Sequence, residues 1–236
     1  MNILILSAHT ERIDAFAKLT VVNKQEYANK FGYTFINITN GFDLSRAPSW
    51  SKILFIKQYL HEYDYIFWMD SDAMFMRFDI RLEEFIHGYE KYDFIFNRDN
   101  TWEYPKAVRF NCGVFFIKNS EFSFNLLDEV YKPEYYINSH IDEYGRPTYY
   151  EQGVFWRLND EHNYKEIKVI TDNQYKGISF NGIKSNWMNN YIIDPIFLYK
   201  PGDFVYHLAG DSDVLGKVIE NLNLVVDEYK SELKIK

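Results

Sequence analysis

Cysteine is all but missing: among 236 residues, only Cys112 carries a thiol. A lone thiol excludes an intramolecular disulfide framework and suits a reducing compartment; with no signal peptide or membrane span in the sequence, the expectation is a cytoplasmic protein or a catalytic domain cut from something longer. No stretch approaches the roughly 20 consecutive apolar residues that carry a helix across a bilayer. The N-terminal run Ile3–Leu6 is short, has no basic region before it and leads into His9, Glu11 and Arg12. It reads as a first strand and not as a signal peptide. Dense Lys/Arg runs are also missing, and the formal net charge is −8. Without a cationic field to attract polyanions, nucleic acid is not an expected partner. There is no internal repeat and no linker between domains, so one domain spanning 1–236 is expected.

What is abundant is apolar and aromatic surface. Residues of apolar type make up 47% of the chain and aromatics 19%, with 20 Tyr and 20 Phe. That composition supports a buried core and argues against disorder. Ring faces also suit the C–H faces of pyranoses, although most of these rings have to be core.

Hydrophobic spacing predicts alternating strands and helices. After a strand at Asn2–Leu6, Ile13, Phe16, Ala17, Thr20, Tyr27, Ala28 and Phe31 recur at helical spacing, and Gly32 supplies the stop. A strand at Tyr33–Ile38 follows, then the polar connector Gly41–Ser49, with Pro48 just ahead of a helix carrying Trp50, Ile53, Leu54 and Leu60. Tyr65–Met69 is an unbroken apolar run, the pattern of a strand covered on both faces. Leu82, Phe85, Ile86 and Tyr89 mark a helix, Phe94–Phe96 and Gly113–Ile117 strands, and Phe122, Leu126, Leu127 and Val130 another helix. Lys132–Thr148 lacks periodicity and reads as a long surface excursion of the kind that carries acceptor specificity. A short helix near Tyr149–Leu158, strands near Val169–Ile170 and at Phe204–His207, and a helix at Val214–Tyr229 close the chain. The alternation predicts an α/β fold, with a mainly parallel central sheet flanked by helices and ligands beyond the carboxyl ends of its strands.

At one such end stand Asp70, Ser71 and Asp72. A leaving diphosphate needs a hard cation to neutralise it, and residues two apart in extended chain point the same way, so one Asp can bind that metal while the other orients the nucleotide or its waters. The alternative is a plain turn that caps the next element, a common use of these residue types. His207 also ends an apolar strand, and Ala209 and Gly210 beyond it let backbone N–H groups approach a phosphate. Alone it reads as a packed side chain; with the two aspartates it completes a set suited to Mn2+ as well as Mg2+.

Four stretches, Trp50-Ser51-Lys52, Trp68-Met69-Asp70-Ser71-Asp72, Asn111–Asn119 and His207-Leu208-Ala209-Gly210, resemble in order the galactosyltransferase and α-mannosyltransferase family. That family includes fungal mannan enzymes and plant xyloglucan xylosyltransferases. Cys112 departs from its pattern, which has Asn-Ala-Gly at the third stretch. The resemblance implies the GT-A, or nucleotide-diphospho-sugar transferase, fold and transfer of a hexose or pentose from a UDP- or GDP-sugar to a glycan or other hydroxyl acceptor. It also implies Mn2+ or Mg2+ and retention of anomeric configuration, with the departing phosphate oxygen helping to deprotonate the acceptor.

By that resemblance Asp70 contacts the nucleotide ribose and the metal, Asp72 ligates the metal, and His207 is the third protein ligand. Lys52 sits near the diphosphate or base, and Asn111 and Gly113 line the donor-sugar pocket. Gln152 contacts the sugar, and Glu151 stabilises an oxocarbenium-like transition state. Each has a plainer reading: Lys52 as a solvated helix lysine, Asn111 and Gly113 as a strand-start turn, and Glu151-Gln152 as a favourable first helical turn. Asp142 and Glu143 are rivals for the role of Glu151. Two other functions compete, a haloacid-dehalogenase-type phosphatase and a nucleotide-sugar or carbohydrate-binding module without turnover.

Overall fold

The structure is a computed structural model and describes residues 1–99, 109–135, 150–171, 178–183 and 199–209. Gly210, Asp142, Glu143, most of the Lys132–Thr148 excursion and the expected helix Val214–Tyr229 lie outside the described residues.

The first half runs β1 (Ile3–Ala8), α1 (Asp14–Phe31), β2 (Thr34–Ile38), α2 (Ser51–Leu60), β3 (Tyr65–Met69), β4 (Ala73–Phe75) and α3 (Glu83–Ile86). The second runs β5 (Phe94–Arg98), β6 (Phe110–Lys118), α4 (Glu121–Val130), α5 (Tyr150–His162), β7 (Ile167–Ile170), β8 (Gly182–Ile183) and β9 (Val205–His207). The main sheet has the order β2-β1-β3-β6-β5-β7. β2 and β3 are parallel to β1, β7 is parallel to β5, and β6 is antiparallel to both β3 and β5. One reversed strand therefore sits inside an otherwise parallel sheet. A small sheet, β4-β9-β8, adjoins it.

Strand alternation divides the core in two. Ile3 and Ile5 of β1 and Tyr65, Phe67 and Met69 of β3 join the cluster that takes in Phe16, Tyr27 and Ala28 of α1. Leu4, Leu6, Ile66 and Trp68 point the other way, to Trp50 ahead of α2, to Ile53 and Ile56 within it, and to residues of α4 and α5. Local signals set the element ends. Gly32 adopts φ +78° and donates its N–H to Ala28 O at 2.8 Å, closing α1. Ser120 caps α4 by accepting from Ser123 N at 3.1 Å.

Some expectations needed correction. β6 begins at Phe110, so Asn111 lies within the strand rather than in a turn ahead of it. The ladder extends because Arg98 pairs with Phe110, whose carbonyl accepts from Trp156 Nε1 at 2.7 Å. α3 spans only Glu83–Ile86 and ends before Gly88, which sits at φ +85°. α5 runs on to His162. β4 and β8 are too short for periodicity to reveal, yet β4 pairs with β9 and sets Ala73 opposite His207. That pairing brings the end of the Asp-Ser-Asp turn to the imidazole.

Candidate active site

β3 ends where Met69 pairs with Val114, and the next residue, Asp70, donates its N–H to Gly113 O at 2.7 Å. Its carboxylate Oδ1 accepts from Trp68 Nε1 at 2.7 Å and lies 3.1 Å from Lys52 Nζ. Desolvation by the surrounding protein pushes the Asp70 pKa up, Lys52 pulls against it, and Asp72 adds to the rise. Ala73 N–H closes the turn onto Asp70 O at 3.1 Å.

Asp72 is buried, and its Oδ1 has no hydrogen-bond partner among the described residues. His207 Nε2 stands 3.5 Å from that oxygen. The other imidazole nitrogen, Nδ1, is 3.0 Å from Asn181 Oδ1. An amide oxygen only accepts, so Nδ1 carries a hydrogen, and in the neutral ring Nε2 is the nitrogen with the lone pair. Asn181 is held in turn: its Nδ2 donates to Asn111 Oδ1 at 3.0 Å, and Asn111 Oδ1 also accepts from Gly113 N at 2.8 Å. Ligand atoms from Asp70, Asp72 and His207 all lie within 4.8 Å of one another. A buried carboxylate oxygen without a partner, a neighbouring carboxylate and an imidazole whose orientation a second residue fixes together fit a hard divalent cation such as Mn2+ or Mg2+.

Lys52 is not the solvated lysine that its helix position allows. It is buried, and Nζ meets Cys112 O at 2.8 Å, Glu151 Oε1 at 2.9 Å and Asp70 Oδ1 at 3.1 Å. Three acceptors match the three ammonium hydrogens. Burial alone would lower the Lys52 pKa, but Asp70 and Glu151 more than offset it and hold the amine charged. Glu151 Oε2, also buried, has no hydrogen-bond partner among the described residues. Gln152 accepts from Cys112 N at 2.7 Å and donates to Asp99 Oδ2 at 2.9 Å.

The structure thus brings Asp70, Asp72 and His207 together, joins Lys52 and Glu151 to Asp70, and ties Asn111 and Gly113 to the His207 support. Two residues escaped the sequence reading. Asn181 lies between Phe180 and Gly182 with no motif around it. Lys24 is fully buried with Nζ 2.9 Å from Asp70 O; it falls on the same helical stripe as Thr20, Tyr27 and Ala28, a signal that was legible.

Gly113 is required by space. A Cβ there would stand 2.7 Å from His207 Nε2 and 3.0 Å from Asp70 Oδ2, and would overlap the imidazole Cε1. Gly113→Ala is therefore expected to displace the ring, with about 1–3 kcal/mol of overpacking strain and weakened Mn2+ binding. Thermal unfolding and Mn2+ titration check this. Wild-type Mn2+ affinity in the variant would remove Gly113 from the site.

The fold and the placement of the site define a class: the chain has the GT-A fold of glycosyltransferases. It superposes on a glycosyltransferase involved in the glycosylation of the major capsid of PBCV-1 with TM-score 0.67 at 16% identity, covering 95% of this chain and 100% of that one. Mouse xyloside xylosyltransferase 1 superposes with TM-score 0.55 at 13% identity, over 90% of this chain and 99% of the mouse chain.

More narrowly, residues 2–109 match the profile of the galactosyl transferase GMA12/MNN10 family, so the resemblance read from the motifs holds. An α-1,2-galactosyltransferase of Schizosaccharomyces pombe is 23% identical over 227 residues, 83% of this chain and 56% of the yeast protein. Xyloglucan 6-xylosyltransferase 4 of Arabidopsis thaliana is 32% identical over 119 residues, 46% of this chain and 22% of the plant protein. The chain spans about half or less of the length of these relatives.

Proposed function

We propose that this chain is a metal-dependent glycosyltransferase that moves a hexose or pentose from a UDP- or GDP-sugar to a glycan or other hydroxyl acceptor, with retention of anomeric configuration. The observation that carries the reading is the unpartnered Asp72 Oδ1 beside Asp70 and His207, at the end of β3 in a GT-A-type sheet. Asp70, Asp72 and His207 would hold Mn2+ or Mg2+, which when bound neutralises charge on the departing diphosphate. Asn181 keeps the His207 lone pair turned to that position, and Trp68 and Lys52 fix the Asp70 carboxylate. Preorganised groups of this kind need no rearrangement as charge develops.

Lys52 acts by positioning Asp70 and Glu151 and by balancing their charge. Glu151 keeps one oxygen unsatisfied, and its carboxylate would favour positive charge growing at the sugar's anomeric carbon. Gln152 reaches the donor sugar only through the amide capacity left after its bonds to Cys112 and Asp99. Asn111 and Gly113 would line the same pocket; Gly210, expected from the sequence to offer backbone to the phosphate, lies outside the described residues. No separate protein base is assigned, because a phosphate oxygen of the leaving group takes the acceptor proton. No helix among the described residues is long and apolar enough to cross a membrane. A single domain over 1–236 in a cytoplasmic setting belongs to this proposal.

A thermal-shift panel of nucleotide-sugars with and without Mn2+ tests the reading. The true donor at ~100-fold its Kd should add about 2.7 kcal/mol, or on the order of 5–10 °C in Tm for a chain of this size. The shift should require the metal. No shift with any donor would refute the proposal, and hydrolysis of phosphomonoesters would replace it with a phosphatase. A shift without transfer or donor hydrolysis would indicate a binding module.

A further inference from the structure

The inner face of α1 is not simply apolar. Thr20, Asn23, Lys24 and Tyr27 stand at i, i+3, i+4 and i+7, share one side of the helix and are all buried. Each sends a side chain to the backbone between Asp70 and Ile80. Thr20 Oγ1 is 2.5 Å from Ser71 O and 3.0 Å from Ala17 O; with one hydrogen for two acceptors, the shorter contact takes it. Asn23 grips Phe75 twice, donating from Nδ2 to its carbonyl at 2.8 Å and accepting its N–H on Oδ1 at 2.7 Å. Lys24 Nζ donates to Asp70 O at 2.9 Å and to Ser7 Oγ at 3.2 Å. Tyr27 OH donates to Ile80 O at 2.7 Å.

Apolar residues would dock α1 on the sheet without taking an amide, a hydroxyl and an amine out of water. Lys24 shows the cost most plainly: its amine is fully buried with a backbone carbonyl and a hydroxyl as hydrogen-bond partners. What these groups add is a fixed place for a segment with little ladder of its own. The Asp70–Ser71–Asp72 turn lies between the end of β3 and the start of β4. Phe75, gripped by Asn23, pairs with Val205, and the same ladder sets Ala73 against His207. The grip of α1 therefore reaches both the carboxylates and the imidazole.

We propose that Thr20, Asn23 and Lys24 are positioning residues that hold Asp70, Asp72 and, through the β4–β9 ladder, His207 at the spacing a divalent cation needs. The inference rests on the metal reading above. It makes the ligand geometry a property of helix packing behind the site as well as of the strand ends.

Thr20 is the residue to test, since changing Lys24 would alter charge as well as hydrogen bonding. The full chain is titrated with MnCl2 alone, and the Tm of the metal-free protein is recorded for wild type, Thr20→Val, Thr20→Ser and Tyr27→Phe. Tyr27→Phe removes a buried hydrogen bond from the same helix face that leads away from the ligands.

Loss of a residue that orients metal ligands weakens binding by about 10–100-fold. That rise in the Mn2+ Kd is expected for Thr20→Val, with Thr20→Ser restored to near the wild-type value. Tyr27→Phe should lose a comparable Tm yet keep the wild-type Kd. The inference is overturned by a wild-type Kd in Thr20→Val, or by an equal loss of affinity in Tyr27→Phe, which would make the effect one of stability. If Thr20→Val does not fold, Asn23→Ser carries the same comparison. A wild type that binds Mn2+ no better than Asp72→Asn refutes the metal reading itself, an outcome distinct from failure of the α1 inference.

Discussion

Asp72→Asn is expected to remove nearly all metal-dependent transfer while leaving the metal-free protein as stable as wild type or more so. Both halves follow from one atom. Asp72 Oδ1 is buried without a hydrogen-bond partner and stands 3.5 Å from His207 Nε2. In the metal-free protein that oxygen is buried without a hydrogen bond among the described residues, so an amide of the same shape gives up no partner there. The same change removes a ligand from a cation whose charge neutralisation is worth several kcal/mol. At about 1.4 kcal/mol per tenfold, a drop in kcat on the order of 10^3-fold is expected. Initial-rate measurements with Mn2+ and a melting curve of the metal-free protein check it together. Substantial activity with undiminished metal dependence would take Asp72 out of the ligand set. A large fall in Tm would make the residue structural. Sites that hold unsatisfied charge for function commonly gain stability when that charge is removed.

Lys52→Met is expected to produce the largest loss of stability. The substitution leaves Glu151 Oε1, Asp70 Oδ1 and Cys112 O facing a thioether where three ammonium hydrogens had been. Removing one partner of a buried ion pair destabilises by about 3–5 kcal/mol. For a chain of this length that is a Tm fall on the order of 6–20 °C.

The pH dependence of the variant gives an independent check. Burial already raises the Asp70 pKa and Lys52 pulls it down, so without Lys52 it should rise further above its unfolded value and the folded variant should bind more protons than the unfolded one. The variant should then recover stability as pH falls toward the ordinary carboxylate range. Lys52→Met combined with Glu151→Gln should regain part of the loss at neutral pH, because no bare carboxylate remains at position 151. A Tm unchanged by Lys52→Met would mean that the buried ion pairs contribute nothing to the fold.

Much of this architecture was legible in the sequence because the strands that build it are strongly patterned. Tyr65–Met69 is apolar without a break and forms β3 with the bounds expected of it. The Asp-Ser-Asp turn follows where a parallel sheet places ligands. What could not be read depends on pairings distant in sequence. β4 and β8 span three and two residues, too few for any period, and only their pairing with β9 makes them strands. Polar Asn111 broke the apolar run and hid Phe110–Cys112, the first part of β6, although Asn111 and Gly113 are both there because of His207 and Asn181. Asn181 matters through one amide oxygen on one imidazole nitrogen, a relation that composition and spacing do not encode. Apart from its motif Lys52 reads as a solvated helix lysine, because its partners come from the turn after β3, from β6 and from α5.

Anomalous diffraction from crystals grown with MnCl2 and a nucleoside diphosphate tests the central claim most directly. The account predicts one strong manganese peak within ordinary coordination distance, roughly 2.0–2.2 Å, of an oxygen from each of Asp70 and Asp72 and of His207 Nε2, with Nδ1 still bonded to Asn181. A nucleotide-bound crystal with no manganese at these residues, or with the ion held by others, would contradict it.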